Sequence, residues 1–278
     1  MTFGDSFVPT AGEVGILPML TYFCMAIAGY AFLGNVIFSL ATQSSVAPEH
    51  RISRVYGSII AAVAGVSYFL ITHFYHEMLH GLSGLSSPEE RAALIRRSYQ
   101  AIGQYRYMDW AITTPLLLLK ATSMLRIKYE EATKAITLLL LADFFMIVTG
   151  YIGEQQLTAN GEIIQSAKLL WGAVSTVGYV VVVITLYGLY KRFAERGNDT
   201  ERWGFRAIGY TTLTTWGVYP VGYMLTLTSI DLNYVHIAFS VFDIINKVGV
   251  SLIAYLVAKE LLDARLNEKK IIDGYTVG

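Results

Sequence analysis

Lys247 sits in the apolar run 235–259, VHIAFSVFDIINKVGVSLIAYLVAK, about a dozen positions from either end. A charged amine at that depth is costly, so an intramembrane ionisable residue points first to function. Asp243 lies four residues earlier, one helical turn away on the same face, and can pair with it. The pair reads in two ways. It can be a structural ion pair between helices, or it can hold an amine dry and oriented, as condensation with an aldehyde requires. This segment alone leaves both open.

A second set of polar groups lies in residues 105–120, YRYMDWAITTPLLLLK. Arg106, Asp109, Thr113 and Lys120 follow one another at +3, +4 and +7. On a helix, Asp109 and Lys120 differ by about 20° in azimuth and ~16 Å along the axis, two levels of one stripe. A carboxylate near a buried cation can take its proton, and an arginine beside such a group favours its ionised form. Arg106 can otherwise be a snorkelling interfacial cation. Lys120 can otherwise be an ordinary cytoplasmic anchor. Pro115 is tolerable in a membrane helix, where neighbouring hydroxyls such as Thr113 and Thr114 can help satisfy the backbone.

The elements that must position these groups follow from composition. The chain has 278 residues, 54% hydrophobic and only 15% charged, which is too apolar for an ordinary soluble domain. Spanning helices need roughly 20 mostly apolar residues. Seven stretches qualify, at about 16–41, 54–77, 100–121, 133–153, 164–190, 206–229 and 233–260. The expected fold is an all-α membrane protein with seven transmembrane helices in a single domain, 1–278. The longest connection, 77–99, holds PEERAALIRRSY, expected as a short surface helix.

Lys and Arg gather on one side, among them Arg51, Arg126, Lys134, Arg192, Arg202, Lys259 and Lys270. The other side has Arg91, Arg96, Arg97 and Lys168. The positive-inside rule puts the N-terminus extracellular or periplasmic and the C-terminus cytoplasmic, in a multi-pass cell-membrane protein surrounded by lipid bilayer. The first twenty residues lack a basic segment before an apolar core, so no cleavable signal peptide is expected. Zero net charge suggests no nucleic-acid partner. Cys24 is the single cysteine, so no disulfide framework is expected. His73, His76, Glu77 and His80 share a helix face with zinc-compatible spacing. A solvated histidine cluster is the preferred reading, and no metal site is assigned. Asp143 is expected buried and either protonated or hydrogen-bonded.

Taken together, RYMDWAITTPLLLL, FDIINKVG, TTWGVYPVGY, ADFFMIVTGYIGE and LWGAVSTVGY, in their order on five helices, resemble the microbial (type 1) rhodopsins. The resemblance implies all-trans retinal on Lys247 as a protonated Schiff base. Asp109 is then the proton acceptor and primary counterion, and Asp243 the second counterion. Trp110 and Trp216 would sandwich the chromophore, with Trp171, Tyr219, Pro220, Tyr223 and Met146 around it. Tyr107, Thr114, Gly150, Ser175 and Thr176 also fall on pocket positions. Each aromatic alone reads equally as helix-packing core.

An acceptor Asp109 followed by Thr113 resembles the outward proton pumps and argues against chloride, sodium and inward pumping. Lys120 departs from most of them, which carry an acid there, and resembles a smaller bacterial group with lysine as internal proton donor. Burial disfavours a charged amine. Lys120 is therefore expected to rest neutral, then take a proton from inside and pass it to Lys247. Ser67 stands where many bacterial pumps hold a histidine against the acceptor. The paired outer glutamates of archaeal pumps are missing, leaving Glu154, Asp231 and Glu77 as release groups. Gly172, beside Trp171, resembles the carotenoid window of antenna rhodopsins, which implies a hydroxylated carotenoid as second chromophore; close helix packing is the other reading of that glycine. Leu117 leans toward green absorption. Relatives form trimers or pentamers, so a homo-oligomer is expected. The function expected is a light-driven outward proton pump, a transporter rather than an enzyme. The alternative is a photosensor signalling through a membrane partner; no signalling domain is read after residue 260. A light-gated channel ranks below both.

Overall fold

The computed structural model describes residues 9–158 and 161–276. Among them seven long helical segments form the bundle: α1 (Ile16–Ala41), α2 (Arg51–Ser83), α3 (Pro88–Met124), α4 (Thr133–Glu154), α5 (Gln165–Phe193), α6 (Asp199–Thr214, continued through Thr215–Gly217 into Val218–Leu225) and α7 (Leu232–Ile244, continued through Ile245–Gly249 into Val250–Thr276). Each helix packs on the next in sequence, α7 closes onto α1, and α3 also touches α6. The inward faces of α3 and α7 carry the buried charges Arg106, Asp109, Lys120, Asp243 and Lys247.

Several boundaries differ from the sequence expectation: α2 runs to Ser83 rather than 77, α7 to Thr276 rather than 260, and α3 and α6 start earlier. PEERAALIRRSY is not a separate surface helix; it is the first three turns of α3, continuous with the membrane span. Ser87 caps it, with its hydroxyl accepting from the Glu90 amide, Pro88 opens it, and Glu89 and Glu90 face the positive end of the helix dipole. The sixth helix begins at Asp199 rather than 206 because Asn198 and Glu201 form a capping box.

Five helical stretches, those of α1, α2, α4, α5 and α7, are long and apolar enough to cross a membrane. In α3, Arg106, Asp109 and Lys120 lower the average, and α6 is interrupted at Thr215–Gly217. The outward face of α5 exposes Leu170, Val177, Val180, Ile184 and Tyr187. Unpaired apolar side chains of this kind suit lipid rather than water.

Polar contacts tie the cytoplasmic end. Glu201 of α6 accepts from His50 Nε2 at 3.0 Å and Arg126 Nε at 3.0 Å. Arg126 reaches it from a left-handed turn, φ 54°, just after α3. Arg196 pairs with Glu131 at 2.6 Å, and that hydrogen bond holds the Glu131 carboxyl below its ordinary range. Glu49, His50 and Glu201 bring three metal-ligand atom types together, but Arg126 and Arg265 already occupy the carboxylates. The group is an ion-pair cluster.

Candidate functional site

Lys247 occupies a five-residue π segment, Ile245–Gly249, inside α7. Such bulges interrupt the helical register and recur at functional sites. The side chain is 2% exposed, and Nζ donates to Asp109 Oδ2 across the bundle. Asp243 Oδ1 lies 3.5 Å from the same amine. One buried cation therefore faces two buried carboxylates.

The two carboxylates are held differently. Asp243 accepts from Tyr68 at 2.8 Å and Tyr219 at 2.7 Å, and Arg106 Nη1 stands 3.6 Å away. Arg106 also donates to the Tyr68 hydroxyl at 3.0 Å. Asp243 is thus fixed by three neighbours besides Lys247. On Asp109, Oδ2 receives Lys247, whereas Oδ1 bonds to no protein group. The Thr113 hydroxyl donates to the Asp109 backbone carbonyl at 3.0 Å. Thr114 likewise donates to the Trp110 carbonyl at 2.7 Å, so both hydroxyls serve the backbone just before the carbonyl that Pro115 leaves without a donor.

From Lys247 a cavity of about 520 Å³ runs between α3, α4, α5, α6 and α7. Its lining includes Tyr107, Trp110, Thr114, Met146, Gly150, Gly172, Ser175, Thr176, Trp216, Tyr219, Pro220 and Tyr223. Trp110 lies 4.8 Å, centroid to centroid, from Tyr219 and 6.0 Å from Phe239. Gly150 makes room for Tyr107, whose ring would come 3.2 Å from a β-carbon there. Thr114 Oγ1 also lies 2.8 Å from Asp143 Oδ2, and Ser175 donates to the Met146 carbonyl at 2.8 Å, pinning α3 and α5 onto α4. Asp143 is thus buried and hydrogen-bonded.

Trp171, expected in the pocket, does not line it. Its β-carbon instead packs against α4, 2.9 Å from where a side chain at Gly153 would begin. Gly172, the next residue, takes the cavity position, with Tyr223 Cε1 at 2.9 Å from its hypothetical β-carbon. Four exposed residues, Leu169, Ala173, Thr176 and Met224, line the same cavity near Gly172.

Lys120 lies apart from this cavity and is fully buried, which excludes an interfacial snorkelling anchor. Its Nζ donates to Ser251 Oγ at 3.1 Å, and Ser251 Oγ lies 3.4 Å from Ser39 Oγ. Arg54 is buried nearby, donating to the Ser251 carbonyl at 3.2 Å and to Thr42 at 2.7 Å. At the outer end of α2, His76 and His80 meet Nε2 to Nε2 at 3.2 Å, while His73 packs on Phe74 and Glu77 is exposed. The four-residue set is not gathered around one point.

Sequence reasoning missed Tyr68, Asn246 and Ser251. Asn246 donates to Tyr219 at 3.0 Å and accepts from Thr215, linking α7 to the break in α6. A polar residue beside Lys247 in an apolar run was a visible signal. Nothing in the sequence marks the π segment.

The cavity suits an elongated apolar aldehyde joined to Lys247. Ligand pockets run from about 300 to 1,000 Å³ and are mostly apolar with a few placed polar groups. Here the aromatic walls supply the first, and the Lys247 amine between Asp109 and Asp243 supplies the second.

The Bacteriorhodopsin-like protein family matches residues 18–261. A bacteriorhodopsin-II-like protein of Haloquadratum walsbyi is 28% identical over 196 residues, 69% of this chain and 70% of that one. Among solved structures, Exiguobacterium sibiricum rhodopsin superposes with a TM-score of 0.72 at 25% identity, covering 87% of this chain and 97% of the other. Xanthorhodopsin, described as a light-driven ion pump with dual chromophore, gives 0.74 at 22% identity, covering 93% and 99%, a likeness of fold. With the family matched from the first helix to the seventh, around a lysine set between two aspartates, the chain belongs to the bacteriorhodopsin-like family, the microbial (type 1) rhodopsins.

Proposed function

We propose that this protein is a light-driven outward proton pump with all-trans retinal joined to Lys247. The observation that carries the reading is the buried triad, Lys247 between a tightly held Asp243 and a loosely held Asp109. The chromophore, when bound, supplies light absorption and a light-driven change at the Lys247 nitrogen. The rest is the work of the chain. Asp109 Oδ2 takes the proton from that nitrogen, along the hydrogen bond already in place. Asp243, fixed by Tyr68, Tyr219 and Arg106, keeps the site oriented. Trp110, Trp216 and Tyr219 confine the chromophore and exclude bulk water.

Lys120 returns a proton to Lys247 from the cytoplasmic side. Its burial and its bond to Ser251 support this role, because Ser251 lies four residues beyond Lys247, roughly 6 Å along the α7 axis. A hydroxylated carotenoid at Gly172 is the second chromophore in this reading. The exposed residues that line the cavity there support it, and xanthorhodopsin is a fold relative with two chromophores.

The test is illumination of cells or vesicles holding the protein after incubation with all-trans retinal. Acidification on the side of the N-terminus, abolished by a protonophore, is expected. A coloured protein that moves no protons in light would overturn the reading.

A further inference from the structure

Beyond Arg106 the inner cavity ends outward on a wall formed by Tyr99, Gly103, Glu154 and His236. A second cavity, about 360 Å³, lies outside that wall, with Arg96, Gln100 and Asp231 on its rim. Tyr99 and Glu154 line both cavities. Tyr99 is a weak acid, so Glu154 is the carboxylate set between the two spaces.

Glu154 ends α4 and is 5% exposed. Its Oε2 accepts from Lys168 Nζ at 3.0 Å, and Lys168 is 1% exposed. That amine stands 4.5 Å from the Tyr223 ring centre, and the Tyr223 hydroxyl donates to the Lys168 carbonyl at 2.6 Å. Gly103, three residues before Arg106, lies against the Glu154 side chain: a β-carbon there would sit 3.8 Å from Cγ, an ordinary contact. On the inner side, Arg106 Nε and Nη2 and His236 Nδ1 bond to no protein group. An ion pair this dry is weak evidence for stability, since desolvation offsets much of the attraction. Its place between two cavities calls for another explanation.

We propose that Glu154, paired with Lys168, is the carboxylate through which the exported proton leaves. This rests on the pumping reading above. An Oε–H bond forms as the proton arrives from the Arg106 side, carried by water in the inner cavity. The same bond breaks as the proton passes to water in the outer cavity, which restores the pair with Lys168. The step needs no other reactant.

The experiment uses the retinal-loaded protein and its E154Q variant. After a flash, one records loss of the proton at the Lys247 nitrogen by visible absorbance, proton appearance in the medium with a pH dye, and the carboxylic C=O region by infrared difference spectroscopy. The variant should keep its colour and the rate of proton loss at Lys247. Proton appearance should be delayed roughly a hundredfold or more, the scale of a lost acid–base group, and a transient C=O band should vanish. Release as fast as in the parent protein would overturn the proposal. So would equal slowing of both steps, which would mark a structural role. Should E154Q fail to fold, Glu154→Asp keeps the charge on a shorter arm; an unshifted C=O band there also overturns it. A parent protein that releases no proton at all would instead refute pumping itself.

Discussion

Gly57 of α2 faces the buried amine of α3: a β-carbon there would lie 2.9 Å from Lys120 Nζ and 2.8 Å from Ser251 Oγ. Both obstructing atoms end flexible side chains, so Gly57→Ala should move the amine without breaking the helix contact. If Lys120 donates the returning proton, Gly57→Ala should slow reprotonation at Lys247, and Lys120→Ala should slow it by roughly a hundredfold or more. Visible absorbance should be unchanged in both. Flash photolysis checks this, and an unaltered reprotonation rate in Lys120→Ala would remove the donor role.

Asp109 and Asp243 flank the same amine, yet their replacement should differ in kind. Asp109 holds one hydrogen bond, from Lys247, on its side chain. Asp109→Asn should therefore keep the fold, shift absorption to the red as a negative charge leaves the chromophore nitrogen, and stop proton loss there. Asp243→Asn strands Arg106 without its buried partner, and breaking such a pair costs about 3–5 kcal/mol. The second variant should lose thermal stability as well as function. Absorption spectra and thermal bleaching separate the two, and equal stability losses would contradict the asymmetry.

Apolar runs marked α1, α2, α4 and α5 plainly, and the buried charges marked α3 and α7 as the working helices. The start of α3 was legible too, in Ser87, Pro88, Glu89 and Glu90, but its charges read as surface because hydropathy and capping point to different answers there. Trp171 was expected in the pocket from the resemblance alone, whereas neighbouring Gly172 takes the cavity side. The roles of Tyr68 and Ser251 depend on which helices meet, which no single segment encodes.

Gly172 offers a direct test of the second chromophore. An added hydroxylated carotenoid should give a carotenoid band in the excitation spectrum of retinal emission. Gly172→Trp should abolish that band, because any side chain there already meets Tyr223 at its β-carbon, 2.9 Å from Cε1. The retinal absorption should persist. No added band in the parent protein would sink the antenna assignment.

Glu201 gathers His50 from the start of α2, Arg126 from the turn after α3 and the Asn198 amide at the cap of α6. It is 1% exposed, so its replacement by Ala leaves the fully buried His50 without its Nε2 partner. Stranding a buried polar group costs about 1–3 kcal/mol, more when a charge is involved. For a chain somewhat above 250 residues, each kcal/mol moves Tm by about 2–4 °C. Glu201→Ala should therefore lower the bleaching temperature by roughly 2–12 °C. Glu201→Gln, which keeps an acceptor oxygen, should lose less. Thermal scans of the coloured protein at one fixed rate check this. Identical temperatures for the parent and Glu201→Ala would mean that the cluster does not hold α6 against α2.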